Sequence, residues 1–185
     1  QSDGKILLCG GFNNVNGVPF SGLARWDGAN WSSAGLTGTT VGLAVSGNNL
    51  YVGGTFTNAD VGGVQMTNVG YFDGGAWHAM GSGLGMPGSA VRALAIQNGL
   101  VYAGGYFTNA GSQFATNIAV WDGSTWAQVG GGLGTAGASI VFTLGFNGSD
   151  LYAGGSFTQA GSVAASNIAR WDGMNWNDVG GGLTG

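Results

Sequence analysis

A chain of 185 residues with 41 glycines and only 6% charged residues departs from the soluble average, in which about 25% of residues are charged. With no Glu and a single lysine, Lys5, little is available for the exposed face of an amphipathic helix, and each helical Gly costs about 1 kcal/mol. The chain is therefore expected to be all-β, and its formal net charge of -4, with Arg25, Arg92 and Arg170 scattered, leaves no basic stripe to follow a nucleic acid.

Disorder is the usual alternative for a Gly-rich chain, but 44% hydrophobic and 11% aromatic residues supply a packed core. Apolar runs such as Lys5-Ile6-Leu7-Leu8-Cys9 stop far short of the roughly 18 residues that a helical membrane span needs, so membrane insertion is not expected. Cys9 is alone, which leaves no disulfide framework and suggests a buried, inert thiol.

Taken in chain order, the sequence repeats itself. A Gly-Gly doublet closes LLCGGF at Gly10 and Gly11, LYVGGTFT at Gly53 and Gly54, VYAGGYFT at Gly104 and Gly105, and LYAGGSFT at Gly154 and Gly155, with spacings of 43, 51 and 50 residues. After a polar loop, each copy continues into an aromatic-Asp-Gly-x-x-Trp signature. These are LARWDGANW with Trp26 and Asp27, VGYFDGGAW with Phe72 and Asp73, IAVWDGSTW with Trp121 and Asp122, and IARWDGMNW with Trp171 and Asp172. A Gly-rich exit follows, and a further apolar run (VGLAV, VRALAI, IVFTLGF) precedes the next doublet.

Each repeat thus holds four strand-length segments. The turn between the first and second carries Gly47-Asn48-Asn49, Asn98-Gly99 or Asn147-Gly148-Ser149-Asp150, and the turn between the third and fourth carries Asp-Gly in all four copies. These residues accept the positive φ of tight hairpins. Four antiparallel strands at a period near fifty define a β-propeller blade. The expected fold is a single propeller region over 1-185, with repeats at about 1-38, 39-88, 89-137 and 138-185.

The second and third segments are almost continuously apolar, as when neighbouring blades cover both faces of a sheet. The doublet then allows close approach of an adjacent sheet, and Trp26, Phe72, Trp121 and Trp171 are expected to be core between blades. Gln1-Ser2-Asp3-Gly4 aligns with a first-to-second turn, so the first blade is expected to lack its inner strand. That points to part of a larger or oligomeric propeller, because an open stack exposes apolar faces and unpaired edges.

The doublet and the aromatic-Asp-Gly hairpin resemble those of kelch-like and galactose-oxidase-like propellers, particularly the Gly-rich repeats of secreted bacterial proteins and fungal cortical polarity markers. The resemblance implies a secreted or surface protein and says little about its ligand. It does not carry copper oxidase activity, which needs more than one His and one Cys.

No catalytic, cofactor or metal site is expected. His78 is the only histidine and has no obvious co-ligand, while Asp27, Asp73, Asp122 and Asp172 are distributed one per repeat, as turn residues would be. The variable loops between second and third segments offer Gln65, Met66, Gln113 and Phe114 as ligand-facing candidates. Asn30 and Asn147 begin glycosylation patterns. The function expected is a non-enzymatic extracellular scaffold, adhesion or self-assembly module whose partners are other blades or copies of itself. The alternatives are a carbohydrate-binding propeller and the non-catalytic part of a larger secreted enzyme.

Overall fold

The computed structural model describes residues 6–20, 22–58 and 63–184, and among these every regular element is a strand. The first sheet holds β1 (Ile6–Cys9), β4 (Leu23–Trp26) and β5 (Trp31–Ser33), with a ribbon of β2 (Asn14–Val15) and β3 (Val18–Pro19) between β1 and β4. The second sheet runs in chain order through β6 (Thr39–Ser46), β7 (Asn49–Thr55), β8 (Val69–Phe72) and β9 (Trp77–Ala79).

The third sheet is β10 (Ala90–Gln97), β11 (Leu100–Tyr106), β14 (Ile118–Trp121) and β15 (Trp126–Gln128), with the ribbon β12 (Asn109–Ala110) and β13 (Gln113–Phe114) inserted. The fourth repeats it as β16 (Ile140–Asn147), β17 (Asp150–Ser156), β20 (Ile168–Trp171) and β21 (Trp176–Asp178), around the ribbon β18 (Gln159–Ala160) and β19 (Val163–Ala164). Every pairing is antiparallel. Asn98 and Gly99 both take positive φ, 52° and 79°, which twists the β10-β11 hairpin in the hand its strands favour.

The leading strands β6, β10 and β16 lie side by side, so the sheets stack in sequence. Between them lie three apolar layers. The first joins Leu23 and Leu36 to Leu50, Val52 and Trp77. The second joins Val69, Met80 and Leu84 to Val91, Val101 and Trp126, and the third joins Ile118, Val129 and Leu133 to Val141, Leu151 and Trp176. The second and third sheets each give one face to the layer before and the other to the layer after, which is why their middle strands carry few polar residues.

The two glycines of a doublet do different jobs. A Cβ on Gly53 or Gly104 would lie 2.5 or 2.6 Å from Cγ1 of Val91 or Val141 on the next sheet. A Cβ on Gly54, Gly105 or Gly155 would instead run into the carbonyl oxygen of Thr39, Ala90 or Ile140 on its own leading strand. There the leading strand carries a bulge, at Val41, Arg92 and Phe142, which bends it across the doublet.

The first repeat is out of register with the doublet expected at Gly10 and Gly11. Gly10 N–H donates to Gly22 O at 3.0 Å, as Gly54, Gly105 and Gly155 donate to Asn68, Asn117 and Asn167. Cys9 and Gly10 therefore hold the doublet positions, and Gly11 stands with Thr55, followed by Phe12 with Phe56. Among the described residues the first sheet has three strands; Gln1 to Gly4, read as a turn, lie outside them.

Candidate functional site

The ribbons β12-β13 and β18-β19 are fixed by backbone bonds to the preceding sheet. Gly85 N–H donates to Asn109 O and Gly111 N–H to Gly83 O, both at 2.8 Å, while Leu84 bridges Ala110. Asn68 Nδ2 donates to Leu84 O at 2.8 Å, and Asn117 does the same to Leu133 O. Leu84 and Leu133 are fully buried. The Gly-rich exit of one repeat is thus a clasp on the ribbon of the next.

On the β12-β13 ribbon, Asn109 pairs with Phe114 and Ala110 with Gln113. Phe114 is 64% exposed. With Gln113 it lines a groove of about 690 Å³, together with Gly81, Ser82, Ser112, Trp121, Ser124, Trp126 and Gln128. An accessible ring flanked by amides and hydroxyls, with no charged side chain in the lining, can stack on an apolar face and hydrogen-bond to hydroxyl groups around it.

The four loop candidates do not form one site. Gln65 is exposed and bridges Asn58, at the position in its repeat that Phe114 holds in the next. Met66 is buried in the layer between the first and second sheets, with its sulfur against Gly70. Its side chain is therefore core rather than ligand-facing, because position 66 alternates inward where position 65 points out.

The four aspartates are committed to their turns. Oδ1 of Asp27 accepts from the N–H groups of Ala29 and Asn30, and Asp73, Asp122 and Asp172 accept from the same two turn positions, at 2.7 to 2.9 Å throughout. Those backbone donors hold the carboxyl of Asp73 down at about 2 and lower those of Asp122 and Asp172 as well. His78 Nε2 lies 2.7 Å from Asp73 Oδ2, and its ring stacks on Tyr71. Among the described residues no three His, Cys, Asp or Glu side chains converge as metal ligands would. Burial raises the Cys9 thiol, which contacts Val41 O at 3.6 Å.

In each hairpin the two aromatics pair at 5.3 or 5.4 Å between ring centres, and Phe72, Trp121 and Trp171 pack in the layers between sheets as expected. Of the first-position rings only Trp121 is buried, while Trp26, Phe72 and Trp171 are partly exposed. The second-position Trp77, Trp126 and Trp176 are buried, and each indole N–H donates to the preceding sheet, at Ala34 O (2.8 Å), Met80 O (2.8 Å) and Val129 O (3.3 Å). The available signal was that this Trp occurs in all four copies, whereas the first aromatic changes to Phe72.

Small antiparallel sheets stacked through apolar layers define an all-β, β-propeller-like protein. Residues 1–27 match a family described as a domain of unknown function (DUF5122) beta-propeller, which supports propeller-like repeats. No curated protein matches the chain. Among solved structures, the crystal structure of the computationally designed Ika8 protein is similar at 18% identity and a TM-score of 0.49, over 83% of this chain and 40% of that one. The chain thus spans well under half of that structure's length.

Proposed function

We propose that the chain is a run of kelch-like propeller blades serving as a non-enzymatic extracellular scaffold or adhesion module, whose partners are further sheets of the same repeat. The observation that carries this reading is the match between its two end faces. Ile6 and Leu8 are 59% and 43% exposed at positions where Leu50 and Val52 are buried against a preceding sheet. Leu183 is 58% exposed where Leu84 and Leu133 are buried beneath a following one. Trp31 stands where the indole donors stand, and Val179 O where their acceptors stand. Head-to-tail contact is heterologous and extends until it closes. A surface rich in Asn, Ser, Thr and Gly rather than Lys and Glu supports the extracellular placement.

Sedimentation velocity over a range of concentrations tests the scaffold. The chain is expected to form species larger than 18.4 kDa, and Leu8→Asp or Leu183→Asp should each disperse them. A wild-type monomer at every concentration would overturn the reading.

The groove at Phe114 favours a second reading, binding of neutral glycans. Saturable binding on a glycan array, lost in Phe114→Ala and kept in Gln65→Ala, is the expected result; binding that survives Phe114→Ala rejects it.

A further inference from the structure

Corresponding positions in successive layers hold different amounts of side chain. Strand register aligns Tyr51, Ile96 and Trp121, between the second and third sheets, with Tyr102, Phe146 and Trp171 between the third and fourth, and each set packs in its layer. Between the first and second sheets the same points hold Leu7, Val45 and Phe72. Each is smaller than both of its counterparts, and at that place lies a cleft of about 570 Å³.

Leu7, Val45, Leu50, Phe72 and Trp77 are its apolar walls, with the rings of Phe72 and Trp77 paired at 5.4 Å. The volume falls within the range of small-molecule sites. Two charged side chains, Arg25 and Asp73, belong to the lining, and neither is offered to a ligand. Arg25 is engaged elsewhere in the chain, and the oxygens of Asp73 accept from the turn N–H groups and meet His78. Their opposite charges offset one another, so a charge on a ligand would lose its water in the cleft and gain no partner in exchange.

We propose that this cleft is a binding site for an uncharged, flat aromatic molecule, whose ring takes the place of the larger side chains that the other two layers supply. A gap in a packed layer forfeits the dispersion energy of its lining. A planar ring set against Phe72 and Trp77 recovers it through offset or edge-on contact, and the neutral polar side chains of the lining, Ser33 and Asn48, can meet a hydroxyl on such a ring.

The probe is N-phenyl-1-naphthylamine, an uncharged diaryl amine, titrated into the full chain by fluorescence. One saturable class of site is expected. Leu7→Tyr combined with Phe72→Trp installs the residues of the neighbouring layers and should weaken binding about tenfold or more, equivalent to about 1.4 kcal/mol, without lowering Tm. Val45→Ile, a smaller filling that leaves the other walls alone, should weaken it in the same direction. The same ring system carrying a charge, 8-anilinonaphthalene-1-sulfonate, should bind the wild-type chain several-fold more weakly. Affinity unchanged by both fillings would overturn the proposal, as would its loss in Phe114→Ala or Leu183→Asp, which would place the dye in the other groove or on an end face. A sulfonate that binds as tightly as the neutral dye, and is displaced by the same fillings, would overturn the preference for an uncharged ligand.

Discussion

Thr40 occupies the position that Val91 and Val141 hold in the next two sheets. It is fully buried and its hydroxyl has no hydrogen-bond partner. Valine has the same shape without the oxygen, so Thr40→Val should stabilise the chain by about 1 kcal/mol, the typical cost of a buried unpaired hydroxyl. A higher denaturant midpoint with an unchanged slope would show it. The turn aspartates respond to pH instead. The Asp73 carboxyl lies at about 2 in the folded chain against an ordinary 3.8, so its contribution is complete above 3.8 and disappears as pH falls through 2. Thermal stability should decline across that window, and Asp73→Asn, which keeps an oxygen for the turn donors, should shallow the decline.

The chain's parts are joined by bonds between sheets as much as within them. Trp126 combines burial in the second layer with an indole bond to Met80 O. Trp126→Phe removes the bond and part of the ring, and should cost about 1–3 kcal/mol in chemical denaturation. Hairpins and the division into sheets were legible from Asn-Gly and Asp-Gly turns and from apolar runs, because those signals are local. The indole bonds were not, since each acceptor is a backbone carbonyl 43 to 47 residues away. The ribbons were hidden as well, because strands of two residues carry no periodicity. In the first repeat a visible Gly-Gly pair drew attention one residue downstream of the true doublet, where only hydrogen bonding fixes the register. At the groove, exposed Phe114 and Gln113 could be read from loop variability, whereas the inward turn of Met66 depends on strand alternation in a segment too short to display it.

Across the whole molecule, packing links each sheet to its sequence neighbours through the three layers. Stability in such an array is close to a sum of unit and nearest-neighbour terms. Amide exchange should therefore be slowest in β7 and β11, which have a sheet on either side, and faster in β1 and β17; uniform protection over all four sheets would contradict this. The clasp of one repeat's Gly-rich exit on the next repeat's ribbon has a genetic counterpart. Because the same backbone bonds recur where the second repeat meets the third and the third meets the fourth, a repeat duplicated or deleted in frame there still finds a neighbour that fits, so length can vary in units of a repeat.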